Sequence, residues 1–214
     1  MRIAKANAQA TEYACKKFHY AKSVPAVQWA YNIYNDTDEW CGVVAFGSGS
    51  TPMIGKPFEL KQGEILELVR VAMNGKQGHN RTSQAVSMAL RQLHKDDPLC
   101  KMVISYADSN QGHLGTIYQA TNWIYLGRVE NNTIAAFVVN GKRMHRRSVG
   151  AKGGVQNLEW IQTHWDANAE AVISKGKYKY IYPFDKELRK EWLKKHQPYP
   201  KKADTNNSEA QEGL

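Results

Sequence analysis

The spacing of apolar residues predicts a run of strands before the first long helix. Four early segments read as strands: Tyr13–Tyr20, mixed polar and aromatic; Val27–Tyr34, aromatic and β-branched; Trp40–Phe46, nearly continuous apolar; and Glu64–Met73, alternating. The links SVP, NDTDE and GSGSTPMIGKP between them are turn chemistry. A helix follows over Ser83–His94, with Val86, Leu90 and Leu93 on one stripe and Ala85 and Ala89 beside it. Asn80, Thr82 or Ser83 caps its start, and Asp96-Asp97-Pro98 ends it.

The next strand, Lys101–Asp108, alternates Val103, Ser105 and Ala107 against Met102, Ile104, Tyr106 and Asp108. Asp108 thus falls at the strand's carboxyl end, where ligands bind in open α/β sheets. The same place suits an Asx-turn or a helix cap. The stretch Ser105–Gly127 carries an acid, a histidine and three tyrosines, more polar chemistry than a plain strand–turn–helix requires. A short helix is expected around Gly115–Thr121, then strands at Trp123–Val129 and Thr133–Asn140 across an Asn131-Asn132 turn. Later come a helix over Asn157–Trp165, a short strand at Tyr178–Tyr182 and a helix over Asp185–His196, with a Glu191–Lys195 pair at i,i+4. Residues 198–214 have the composition of a disordered tail. The order implies an α/β (α+β) fold: a mixed, mostly antiparallel central sheet flanked by helices, in one domain over residues 1–197.

Charge changes the picture more than composition does. The net charge is +9, which points to a polyanionic partner. One basic cluster lies in a loop of about residues 141–154, with Lys142, Arg143, His145, Arg146, Arg147 and Lys152; a second lies in the C-terminal helix and beyond it. A solvated face without a partner is the alternative; nucleic acid fits better, since Lys and Arg neutralise phosphates. No run is long enough for a membrane helix, and MRIAKANAQATEY lacks the apolar core of a secretory signal. Cys15, Cys41 and Cys100 are odd in number and form no CxxC pair, so they read as reduced thiols of a cytoplasmic protein.

The segment IYQATNWIYLG, with Tyr118 and Gly127, resembles the helix-to-strand segment of the GNAT acyltransferase superfamily. FHY at Phe18–Tyr20, ELVR at Glu67–Arg70, Ser83 at the following helix, SYAD and GHLGTIYQATNWIYLG together resemble a narrower group. It is the bacteriophage Mom family of DNA-modification proteins, a divergent GNAT-like branch. The resemblance spans roughly Tyr13 to Val139 and implies a GNAT-like fold. The implied activity is conversion of the exocyclic 6-amino group of adenine in DNA to a carbamoylmethyl (acetamido) derivative, protecting phage DNA from restriction. Carried over residue by residue, the implied site is His19, Tyr20, Arg70, Ser83 and Asp108, with Tyr118 aligned to the general acid of ordinary GNAT enzymes.

The adenine amine is a poor nucleophile, so such a site needs orientation and an activated donor. Asp108 suits a proton acceptor, Tyr20 a stacking or donor role, Arg70 a bidentate grip on carboxylate or phosphate, and Ser83 an anion at a helix start. Each also has a plain structural reading: His19 as a packing residue, Arg70 paired with Glu67 or Asp108, Ser83 as a cap. On a regular strand, His19 and Tyr20 would face opposite sides. His19 and Asp108, with His113, are the candidate ligands for iron or zinc. The donor is acyl-CoA or a glycine-derived group, for example on an aminoacyl-tRNA. Arg70, Ser83, Gly75 and Gly78 are its candidate contacts, although RVAMNGKQGHNRTS matches the usual pyrophosphate loop only loosely. Expected partners are double-stranded DNA, tRNA or CoA as donor, no membrane, and room for a homodimer. The rival functions are a CoA-dependent N-acetyltransferase and a non-catalytic basic DNA-binding protein on a GNAT scaffold.

Overall fold

The Asn7 side chain accepts a hydrogen bond from Ala10 N at 2.8 Å and caps a helix, α1 (Ala8–Phe18), where the sequence reading placed the first strand. Thr11, Ala14 and Cys15 are buried at helical spacing, and Lys16 pairs with Glu12 one turn away. The expected Tyr13–Tyr20 strand therefore does not exist. Its window began in mid-helix, where the aromatic residues mimic strand composition.

The computed structural model describes residues 1–49, 51–129, 134–174 and 176–201, without the side chains of Asn110 and Arg147. Before α1 lies a strand that the sequence reading missed, β1 (Arg2–Lys5); after it come β2 (Trp29–Tyr34), β3 (Trp40–Gly47), β4 (Ile65–Met73), α2 (Arg81–Asp96) and β5 (Met102–Asp108). Then follow α3 (Thr116–Gln119), β6 (Ile124–Val129), β7 (Ile134–Val139), β8 (Lys142–His145), α4 (Arg146–Ala151), α5 (Leu158–His164), β9 (Glu170–Ile173), β10 (Lys177–Pro183) and α6 (Lys186–Leu193). Among these described elements no helix is long and apolar enough to cross a membrane.

The described residues group into two compact units. The first comprises Met1–Ala107, Leu114–Gly127 and the residues from Tyr178 on, and is built on a seven-stranded sheet of order β1-β2-β3-β4-β5-β10-β6. Neighbours from β1 to β4 are antiparallel, and β4 pairs with β5 in parallel, the mixed α/β arrangement expected. Strand alternation sends Leu66, Leu68 and Val103 into one core with Ala85, Val86, Ala89, Leu90 and Leu93 of α2. Ile65, Met102 and Ile104 enter the opposite core with Phe58 and Trp192. Leu90 is 1% exposed, so Leu90→Ala is expected to cost about 2–5 kcal/mol in urea unfolding. The exposed neighbour Arg91→Ala is expected to stay within about 0.5 kcal/mol, and equal losses would remove Leu90 from the core.

The second unit comprises Asp108–His113 and Arg128–Lys177. It has its own three-stranded sheet, β8-β7-β9, and its own core of Phe137, Val139, Val149, Ile161 and Ala169. The expected basic loop at 141–154 is a strand and a helix instead. Asn140 and Gly141 both take positive φ, 48° and 70°, the tight hairpin turn that returns the chain as β8. Of the expected tail, residues 198–201 are described, with the Tyr199 hydroxyl donating to the Trp123 carbonyl. Residues 202–214 lie outside the described residues.

Candidate active site

Two irregularities in the first unit's sheet place the side chains that matter. The parallel register of β4 and β5 joins Ile65–Glu67 to Met102–Ile104, although both strands run further. In β4 itself, Ala45 pairs with Arg70 while the next residue of β3, Phe46, pairs with Leu68, so Val69 is a bulge. Without it, Arg70 would face α2 together with Leu66 and Leu68. The extra residue turns Arg70 to the other face, where Ala72 packs with Ala14 of α1.

There Arg70 holds the segment that follows α1. Its Nε donates to the Ser23 carbonyl at 3.3 Å and its Nη2 to Ser23 Oγ at 3.1 Å, while Nη1 donates to the Val69 carbonyl at 2.7 Å. The sequence alternatives for Arg70, pairing with Glu67 or Asp108, are not what the geometry shows. His19 is the C-cap residue of α1, and its ring lies 4.3 Å from that of Tyr20, tilted by 31°. A helix end removes the objection that neighbours on a strand face opposite sides. Ala21 N donates to His19 Nδ1 at 3.1 Å, so the neutral ring carries its proton on Nε2. Tyr20 is half exposed.

Tyr118 stands on α3 and is 8% exposed. Its hydroxyl lies 2.8 Å from Ser105 Oγ, and Ser105, 1% exposed, lies 3.0 Å from the Leu68 carbonyl, just past the last β4–β5 pair. A single serine side chain therefore spans the place where the two strands part. Burial pushes the Tyr118 hydroxyl up to about 12; the Ser105 hydrogen bond opposes this, and the charges of Tyr20 and Glu67 add to it. Burial, with Glu67 again, pushes Tyr106 up to about 12. Tyr118 thus keeps its proton at neutral pH. Gly115, at φ +76°, leaves room for this: a Cβ there would lie 2.5 Å from the Tyr180 ring and 2.9 Å from that of Tyr118.

Arg70 thus anchors the segment that carries His19 and Tyr20, and the charge of Tyr20 acts on Tyr118. Ser83 and the two glycines lie in the β4–α2 turn. Ser83 Oγ donates to the Asn80 carbonyl at 3.1 Å within the β4–α2 turn, a local staple rather than a side-chain cap. Asn80 is left-handed and makes no capping bond, and Gly75 and Gly78 are left-handed at φ +89° and +91°. The cations of this turn are engaged: Lys76 pairs with Glu39, and Arg81 with Asp36 at 2.8 Å. Asp108 ends β5 as expected; its carbonyl accepts from His113 N at 3.2 Å, and both residues group with the second unit.

The implied iron or zinc site does not fit. Among the described residues no three His, Cys, Asp or Glu side chains converge. A metal-bound histidine donates from its second nitrogen, whereas His19 Nδ1 accepts. Reasoning from sequence missed Ser105 and Ser23, which hold Tyr118 and Arg70. A serine inside MVISYAD, flanked by apolar neighbours, was the available signal for Ser105.

A family model described as the Mom protein family matches residues 1–201. The methylcarbamoylase mom of Escherichia phage Mu is 32% identical over 168 residues, covering 75% of this chain and 67% of that protein. Among solved structures, a Bacillus subtilis acetyltransferase in complex with CoA aligns over 86% of this chain and 99% of its own, at 11% identity and TM-score 0.46. A Vibrio cholerae spermidine N-acetyltransferase mutant aligns over 89% and 99%, at 6% identity and TM-score 0.49.

Proposed function

The chain belongs to the Mom protein family, and from that membership we propose that it modifies adenine in DNA, converting the exocyclic 6-amino group to its carbamoylmethyl derivative. The family match over residues 1–201 carries this reading. The reaction joins the adenine nitrogen to the methylene carbon of a carbamoylmethyl donor. One N–H proton leaves the amine, and the donor's leaving group departs with a proton.

The residues take the following parts. Tyr118, protonated at neutral pH, supplies the proton to the leaving group. Tyr20, half exposed, stacks on the adenine, which must leave the duplex to present its amine. His19 donates from Nε2, and Asp108 accepts the amine proton. Arg70 holds the His19–Ser23 segment in register through its bonds to Ser23. Gly75, Gly78 and Ser83 line the turn that receives the anionic part of a donor whose leaving group sits on the methylene carbon of its carbamoylmethyl unit.

The test is expression in a bacterium carrying a plasmid, followed by nucleoside mass spectrometry of the plasmid DNA. A modified deoxyadenosine is expected; unmodified adenine with well-folded protein sinks the reading. Acetylation of a protein or small amine without DNA would favour the N-acetyltransferase instead. In the same assay Arg70→Lys keeps the charge but loses the fork on Ser23, and product is expected to fall about tenfold. Undiminished product would mean that charge alone suffices at this position.

A further inference from the structure

We propose that the β7–β8 hairpin and the following α4 form the surface that grips duplex DNA through its phosphates, apart from the chemistry of base modification. The proposal rests on the DNA-modifying reading above and names where the duplex is held. From Asn140 to Asn157 the chain has five Lys or Arg residues and no Asp or Glu. Lys142, Arg143, Arg146 and Lys152 are all exposed, and none of the four forms an ion pair among the described residues. Arg146 Nε donates to Gln156 Oε1 at 3.0 Å, a neutral partner that leaves its charge uncompensated.

The frame beneath these cations is stiff. β8 pairs with β7 over four residues, from Ala136↔His145 to Val139↔Lys142, and the tight Asn140-Gly141 turn closes the pair. Val149 of α4 is fully buried beside Phe137 and Val139, which ties the helix to β7. β8 stands at the edge of its sheet. Lysines on an edge strand also guard against aggregation. Guarding explains one or two charges but not five in succession without an acid.

The other basic cluster is built differently. Asp185–His196 sets five Lys or Arg residues against three acids. Its acids leave that stretch a net charge of +2, against +5 for residues 140–157. Arg189 Nη2 also donates to the Asn122 carbonyl at 2.7 Å, and Lys195 lies 4.0 Å over the Trp192 ring. The hairpin is therefore the more concentrated source of positive charge for DNA phosphates.

The experiment measures binding of the full chain to a short DNA duplex across a salt series, together with nucleoside mass spectrometry. Each lost phosphate contact reduces the slope of log K against log salt by about 0.9. Lys142→Glu/Arg143→Glu/Arg146→Glu is expected to flatten the slope by about 3 and to weaken binding roughly 10²-fold at ~0.1 M salt, equally for duplexes of different sequence. Lys190→Glu/Lys194→Glu/Lys195→Glu in and after α6 should leave the slope as it is. Should the triple hairpin variant fail to fold, Lys142→Gln and Arg143→Gln singly should each flatten the slope by about 1. An unchanged slope in the hairpin variants, with wild-type protein still modifying DNA, overturns the hairpin surface alone. Wild-type protein that neither binds nor modifies DNA overturns the functional reading beneath it.

Discussion

Replacing Tyr118 with Phe is expected to lower DNA modification about 10²–10⁴-fold while folding and DNA binding persist. The hydroxyl has one partner of consequence, Ser105 Oγ at 2.8 Å, and Ser105 has a second, the Leu68 carbonyl at 3.0 Å. One serine proton cannot serve both. When Ser105 donates to Tyr118, the tyrosine's own proton is directed elsewhere; when Ser105 donates to Leu68, Tyr118 can donate to Ser105. After Tyr118 gives up its proton, the Ser105 hydroxyl can turn to donate to the tyrosinate, and the starting arrangement returns when Tyr118 takes up a proton from solvent. The variant leaves Ser105 satisfied by the Leu68 carbonyl, so its cost in stability is about 1 kcal/mol, to be checked by urea unfolding. Ser105→Ala keeps the acid but not its orientation and should fall between wild type and Tyr118→Phe. Wild-type product from Tyr118→Phe would assign the proton to another donor.

Legibility in the sequence followed the physics of each element. Strands β2, β3, β4 and β5 and helix α2 were readable because one side of each lies against a core, which writes a period of 2 or 3.6 into the chain. Helix α1 was misread because its buried face is made of Thr11, Ala14 and Cys15, small residues that give little apolar signal beside exposed Tyr13. The β8–α4 stretch was misread as a loop because its cations and glycines hide a strand, and only Met144 and Val149 mark the inward side.

The site divides along the same line. Asp108 was placed correctly at a strand end because simple alternation counts to it. Arg70 could not be placed: the Val69 bulge shifts the count by one, and nothing in ELVRVAM announces a bulge. His19 and Tyr20 were drawn to opposite faces because the wrong element was assumed beneath them. The helix end turns His19 Nδ1 toward the following backbone N–H.

Asp108→Ala and Asp108→Asn are expected to reduce product by about 10²–10⁴-fold each, with the salt slope of DNA binding unchanged in both. The two substitutions separate two roles. Asparagine keeps the size of the side chain and an accepting oxygen, but it cannot take a proton. If Asp108 removes the proton from the adenine amine, both variants fail alike. If it only orients that amine through a hydrogen bond, the asparagine variant recovers most of the product and alanine does not. The position favours the first role: Asp108 is the last residue of β5, four beyond the last pair with β4, at a carboxyl edge of the kind where α/β sheets present catalytic groups. An alanine variant at wild-type product levels would remove Asp108 from the reaction, and Tyr118 would then have to act without a base at this strand end.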